Sequence, residues 1–341
     1  MSTNHALLGR VSSGEDLSQA EMADAIDAIM QGRWSEGDIA LLLTALRAKG
    51  ETVDEVAGAA QALRKHMAPI RSTRPNLIDT CGTGGDGSAT FNISTAAAIV
   101  AAAAGASVAK HGNRRMTSRT GSADVLAELG VNIEADIRTV EACLDELGLA
   151  FCFAPLFHSA MRHVGEVRRK LGVPTIFNML GPLSNPAGAP YQLLGVGRPA
   201  LRPLLSQALA KLGTRRALVV CGEDGLDEVT LAATTHVSEA VDGTIREFTW
   251  SPAEFGLELQ PLDPLKVDSP AESAAVIRSI LVGERGPARD IVVLNAAAAL
   301  WTVGLESTPA QAATRAAVAI ESGAARELLA KLAAKSHGRS S

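Results

Sequence analysis

The sequence predicts an α/β protein. A small N-terminal helical domain precedes a larger α/β domain with a mostly parallel central sheet flanked by helices. Three observations lead there. The first 70 residues show helical periodicity alone, short apolar runs alternate with helix-like stretches from Asn76 onward, and two Gly-rich loops each link an apolar run to a helical segment. The expected boundaries are 1–73 for the helical domain and 74–341 for the α/β domain. A returning segment near 162–190 is expected to pack on the helical part.

After a polar leader, Met22, Ile26, Ile29 and Met30 share one helical face. Ile39, Leu42, Leu43 and Leu46 do so in a second helix, and Val53, Val56, Ala60, Leu63 and Met67 in a third. Thr52 and Glu55 have the spacing of a capping box. Beyond Asn76, the runs 76–80, 106–110, 216–221 and 291–295 read as strands. The stretches 94–104, 122–129, 201–212 and 271–281 read as the helices between them. Leu156 to Pro190 carries clustered Arg162, Arg168, Arg169 and Lys170, then a turn-rich crossing that contains Gly181 and Pro182.

Composition narrows the function classes. With 47% hydrophobic and 20% charged residues the chain is a folded globular protein, and with 3% aromatics its core must rest on Ala, Leu and Val. A net charge of −5 argues against broad nucleic-acid binding. The cysteines Cys81, Cys143, Cys152 and Cys221 lack metal-ligand spacing and fit a reducing interior. Met1 to Asp16 lacks a secretory apolar stretch, and the run Ala96–Ala109 is too short for a membrane span, so a cytoplasmic protein is expected.

The chemistry concentrates in the two loops. The first runs Asp79-Thr-Cys-Gly-Thr-Gly-Gly-Asp-Gly-Ser-Ala-Thr-Phe-Asn-Ile-Ser-Thr95. It formally contains G-x-G-x-x-G, but no acidic residue stands about 20 positions on, and the helix starts too late, near Asn92 or Ser94. No Gly-Lys-Ser/Thr ending makes it a P-loop. Asp86, Thr90, Asn92, Ser94 and Thr95 instead offer polar groups to a phosphate or a metal. In the second loop Lys110 supplies a point charge for a phosphate, Thr117, Ser118 and Ser122 supply hydroxyls, and Gly121 lets the backbone approach closely. Two anion-binding loops at helix N-termini, close in sequence, point to a ligand with more than one phosphate.

Gly82-Thr-Gly-Gly-Asp-Gly87, Thr90-Phe-Asn-Ile-Ser-Thr95, Lys110-His-Gly-Asn-Arg114 and Gly121-Ser-Ala-Asp-Val-Leu126 together resemble the anthranilate phosphoribosyltransferase family. Val167-Arg-Arg-Lys-Leu-Gly172, the stretch 175–186 and Gly222-Glu-Asp-Gly-Leu-Asp-Glu228 extend the similarity. The chain departs from the family pattern at Arg115-Met-Thr-Ser118, at Ser159 and at Cys221.

The resemblance implies a nucleoside-phosphorylase-type fold, a homodimer formed through the helical part, and phosphoribosyl pyrophosphate, anthranilate and Mg²⁺ as ligands. It assigns the donor to Gly82, Gly85, Asp86, Thr90, Asn92, Ile93, Ser94 and Thr95, and to Lys110, His111, Gly112, Asn113, Arg114, Arg115, Met116, Thr117, Ser118 and Ser122. It assigns Mg²⁺ to Ser94, Asp227 and Glu228. Anthranilate falls to Gly82, Asn113 and Arg168, with His111, Gly181 and Pro182 lining its path. The residue types suit these roles: adjacent carboxylates plus substrate phosphates are a usual Mg²⁺ environment, and a guanidinium meets a carboxylate through two parallel contacts. No catalytic base is expected. Two other readings stay open on the sequence: a pyrimidine nucleoside phosphorylase of the same fold, and a non-catalytic nucleic-acid binder using Arg114, Arg115 and Arg119.

Overall fold

Side chains that close their own helix ends set the first elements. In the computed structural model, which describes residues 3–114 and 120–338, the chain opens on α1 (Thr3–Ser12), α2 (Gln19–Met30), α3 (Glu36–Lys49) and α4 (Val53–His66). Ser18 with Glu21 and Thr52 with Glu55 form capping boxes that start α2 and α4. The polar leader is itself helical, because Leu8 and Val11 are buried in the helical core.

Then come β1 (Leu77–Gly82), α5 (Ile93–Ala103), β2 (Ser107–Gly112), α6 (Ser122–Glu128), α7 (Ile137–Leu147) and β3 (Leu149–Phe153). The crossing segment holds α8 (Ala154–Phe157), α9 (Arg162–Leu171) and α10 (Phe177–Leu180). The chain continues with β4 (Tyr191–Gly195), α11 (Leu201–Lys211), β5 (Arg216–Gly222), β6 (Thr235–Val241) and β7 (Thr244–Trp250). It closes with α12 (Pro270–Leu281), α13 (Pro287–Thr302), α14 (Pro309–Glu321) and α15 (Ala324–Ser336).

Among the described residues the strands form one sheet in the order β3-β2-β1-β4-β5-β6-β7. Pairing is parallel from β3 across to β5 and antiparallel for β6 and β7. Both faces are buried, and alternate strand residues divide between them: Leu218 and Val220 join the core containing α5 and α13, while Ala217, Val219 and Cys221 join the core containing the helical domain. α9 packs on α2 and α3, and α10 packs on α4.

The run 291–295 corrects the sequence expectation, since it lies inside helix α13 and not in a strand. Every residue from Ile291 to Leu300 is buried, so the helix is apolar all round and shows no amphipathic period to set it apart from an interior strand. Among the described residues no helix is long and apolar enough to cross a membrane.

Candidate active site

The order of the strands brings three loops together. β1 connects toward β2 on one side of the sheet while its other neighbour is β4, so the sheet changes direction there and the carboxyl ends of its strands frame a crevice. A cleft of ≈ 430 Å³ lies there, lined by the loop after β1, the end of β2, Ser122 and the acidic pair Asp227 and Glu228. The acidic pair follows β5, two strands away from β1. It reaches the first loop by crossing directly over β4, where a Cβ on Gly195 would lie 1.6 Å from the Asp227 carbonyl oxygen. Asp227 Oδ2 then accepts the Gly84 N–H at 3.0 Å.

Most of the residues expected to hold the donor do line this cleft: Gly82, Asp86, Thr90, Asn92, Ile93, Ser94, Lys110, His111, Gly112, Asn113, Arg114 and Ser122. Gly85 and Thr95 stand apart from the lining. Asn92 is the N-cap of α5, its Oδ1 accepting the Thr95 N–H at 3.1 Å, and the buried Thr95 hydroxyl turns to the same oxygen. Ser122 is the first helical residue of α6, after Gly121 as cap. Arg114 points to Asp124 and Glu134 at 3.4 and 3.2 Å. Arg115, Met116, Thr117, Ser118 and Arg119 lie outside the described residues.

Charge is poorly balanced in this cleft. Lys110 is buried, and its Nζ donates to the Thr80 carbonyl and, at 3.1 Å, to Ser94 Oγ. Desolvation lowers its pKa. Three carboxylates, Asp86, Asp227 and Glu228, line the same cleft. Burial, then the charge of Asp86, pushes Asp227 up to about 7; burial, then Asp227, pushes Glu228 up to about 8. One Asp86 carboxylate oxygen is buried with no hydrogen-bond partner.

Among the described residues no three His, Cys, Asp or Glu side chains converge as a ready metal cage. The set fits Mg²⁺ all the same, because that ion is held by one or two carboxylates with substrate phosphates and water completing its shell. Excess carboxylate, an unsatisfied oxygen and the Ser94 hydroxyl are the hard oxygen donors it requires.

A second cavity of ≈ 510 Å³ opens on the other side of the same wall. Cys81, Gly82, Thr83, His111, Gly112 and Asn113 line both cavities. Arg168, Gly181 and Pro182 line the second and not the first, and the second gathers every residue expected to meet anthranilate. The Arg168 guanidinium sits 5.6 Å from the Phe177 ring centre and contacts Asn178 Oδ1 at 3.5 Å, and burial lowers its pKa. Among the described residues no carboxylate pairs with it.

His158 was not singled out by sequence reasoning, yet its Nε2 lies 3.2 Å from His111 Nε2. His111 Nδ1 meets the Gly181 carbonyl at 3.0 Å. A carbonyl can only accept, which assigns the proton to His111 Nδ1 and makes His158 Nε2 the donor between the rings. Burial holds His111 down to about 3 and His158 to about 4, so both rings are neutral at pH 7. Gly195 and Gly197 were also missed. A Cβ on Gly197 would meet the Asp86 backbone at 2.8 Å, and the Gly-Val-Gly spacing directly after a strand was the available signal.

A charged cleft for a phosphorylated ligand shares a wall with a pocket offering the Arg168 guanidinium and an aromatic ring. Two adjoining cavities of opposite character, one suited to anions with a metal and one to an aromatic acid, are the arrangement of a two-substrate group-transfer enzyme. A glycosyl transferase family model describing the a/b domain matches residues 74–326, and its companion for the helical bundle domain matches 5–67. The anthranilate phosphoribosyltransferase of Moorella thermoacetica is 48% identical over 96% of this chain and 97% of its own. That of Thermus thermophilus superposes with a TM-score of 0.91 at 43% identity, over 97% of this chain and 99% of its own. The Saccharomyces cerevisiae enzyme has been solved in complex with PRPP and Mg, with a TM-score of 0.89 and 29% identity over 98% of each chain, and also with 4-fluoroanthranilate. The chain belongs to the anthranilate phosphoribosyltransferase family.

Proposed function

We propose that the protein transfers the 5-phosphoribosyl group of phosphoribosyl pyrophosphate to the amine of anthranilate, giving N-(5-phosphoribosyl)anthranilate and diphosphate. The observation that carries this reading is the shared wall, which lets a donor in the charged cleft and an acceptor in the aromatic pocket meet at Gly82 and Asn113.

The donor's phosphates face the amides of the first loop, the N-terminus of α5 and the Lys110 ammonium. Ser94, Asp227 and Glu228 hold Mg²⁺, which when bound offsets the charge of the diphosphate leaving group. Departure of diphosphate leaves an oxocarbenium-like anomeric carbon, and the enzyme's main tasks are to stabilise the leaving charge and to hold the amine in line on the opposite face. Arg168 receives the anthranilate carboxylate through paired N–H donors, and the neutral His111–His158 pair adds no positive charge next to the forming cation. The aromatic amine attacks in its neutral form and releases its proton late, so no side chain is assigned as base. The enzyme works in the cytoplasm as a homodimer joined through the helical part, without nucleic acid or membrane. The helical part spans 1–73 with 162–190 packed on it, and the α/β domain spans 74–341.

Mixing the purified protein with phosphoribosyl pyrophosphate, anthranilate and Mg²⁺ tests the proposal. The native fluorescence of anthranilate should fall as diphosphate appears, and should persist when Mg²⁺ is chelated. Unchanged fluorescence together with phosphorolysis of thymidine would replace this reading with the phosphorylase one.

A further inference from the structure

The sheet stops pairing between β1 and β2 just before the wall where the two cavities meet. Between β1 and β2 the parallel register comprises Leu77↔Ser107 and Ile78↔Val108 and goes no further. Each strand stays paired with its outer neighbour to the end, β1 with β4 through Gly82↔Gly195 and β2 with β3 through Gly112↔Phe153. The interrupted seam therefore lies below Gly82 on one side and His111–Gly112 on the other, which are among the residues of the shared wall.

Side chains occupy the seam in place of ladder bonds. Asp79 Oδ1 accepts the His111 N–H at 3.0 Å. Lys110 Nζ donates to the Thr80 carbonyl, and Asn185 Nδ2 donates to the Ala109 carbonyl at 2.7 Å. Asp79 is 1% exposed, and its second oxygen has no hydrogen-bond partner. A carboxyl group buried inside a parallel sheet costs stability that an apolar residue would not, so its value lies in what Oδ1 holds.

We propose that Asp79 is a positioning residue for the transfer reaction: by accepting the His111 N–H it sets the width of the β1–β2 seam, and so the alignment of donor and acceptor across the shared wall. Asn185 fixes the same strand one step earlier. The proposal rests on the transferase reading above, and a wild-type enzyme that consumes anthranilate secures that reading independently of any Asp79 variant. Arg168, Asp227 and Glu228 lie outside the seam and keep their contacts when it relaxes, so binding of both substrates is largely retained. What is lost is the in-line approach, which belongs to the transition state.

Steady-state kinetics of Asp79→Ala, Asp79→Ser, Asp79→Asn and Asn185→Ala test this. Misplacing reacting groups by about 1 Å costs on the order of 100-fold, so Asp79→Ala and Asp79→Ser should lose about 30- to 100-fold in kcat. Their KM values for both substrates should stay within about threefold, the pattern of an interaction needed only in the transition state. Asp79→Asn keeps an acceptor oxygen in the same place and should retain kcat within about threefold, while Asn185→Ala loses about 10-fold. Amide hydrogen exchange at His111 should quicken in the Ala and Ser variants and stay slow in the Asn variant. If Asp79→Ala does not fold, the Ser and Asn pair carries the comparison. The proposal is overturned if Ser and Asn lose kcat equally, if Ser retains wild-type kcat, or if the damage appears in the donor's KM alone.

Discussion

The donor cleft and the acceptor pocket share a wall but solve opposite electrostatic problems. In the cleft, burial pushes Asp227 and Glu228 up toward neutrality, to about 7 and about 8. In the pocket, burial pushes His111 and His158 down, to about 3 and about 4, and keeps them uncharged. One physical cause, desolvation of the charged form, thus leaves the carboxylates of the cleft easier to protonate and the two histidines, of which His111 lines both cavities, harder to protonate. The donor side should therefore respond to Mg²⁺ and base, and the acceptor side to Arg168 and acid.

The largest expected effect breaks the donor side alone. Replacing Asp227 by Asn and Glu228 by Gln should lower kcat/KM for the donor by about 10³, roughly 4 kcal/mol of transition-state stabilisation. It should also flatten the Mg²⁺ dependence, and an unchanged metal requirement would remove the pair from the site. Next, Arg168→Ala should raise the KM for anthranilate by about 100-fold, about 2.7 kcal/mol for a charge-assisted paired contact, with the donor's KM unchanged. Equal effects on both substrates would count against the division. A smaller loss should follow Gly195→Ala, whose Cβ cannot coexist with the Asp227 carbonyl at 1.6 Å. Displacing the acidic loop should weaken Mg²⁺ binding by about 10-fold, because the ligand geometry relaxes only in part; calorimetric titration would show this, and wild-type affinity would refute it.

The pH dependence separates the two regions at the smallest scale. Asp227 and Glu228 have folded pKa values above those of the unfolded chain, so their contribution is full below about pH 4 and is lost as pH rises through 7 and 8. For His111 and His158 the sign reverses. Their folded values lie below 6.5, so their contribution is present above that pH and is lost as pH falls through 4 and 3. Tm measured across this range should fall on both sides. Mg²⁺ with phosphoribosyl pyrophosphate should suppress the alkaline loss and leave the acid slope in place. A ligand that flattened the acid side instead would contradict the assignment.

The readability of the chain followed distance along the sequence. Both Gly-rich loops, the Asn92 start of α5 and the three helices α2, α3 and α4 were legible, because their signals are local periods and caps. The β6–β7 hairpin was not, although Asp242–Gly243 between the strands has positive φ at both residues, as a tight two-residue turn requires. Glu239 is the reason: a fully buried carboxylate held by Arg216 and Arg246 breaks the apolar alternation of β6. In α13 the failure was the converse, with burial on every side erasing the helical period. Within the site, Arg168 and the Asp227–Glu228 pair carry little signal of their own and are assigned their roles only through family resemblance. His158 acts through His111, 47 positions away, so only the fold reveals it; Gly195 acts through Asp227, 32 positions away, and its Gly-Val-Gly spacing hints at a close approach without naming the partner.

In the proposed reaction donor and acceptor occupy separate cavities and meet at one wall. A crystal structure of the protein with phosphoribosyl pyrophosphate, Mg²⁺ and a non-reactive anthranilate analogue tests it most directly. The diphosphate and metal should lie against Ser94, Asp227 and Glu228, and the analogue's carboxylate against Arg168, with the anomeric carbon facing the ring substituent across Gly82 and Asn113. Diphosphate bound beside Arg168, or an analogue seated among the carboxylates of the first cleft, would contradict the account.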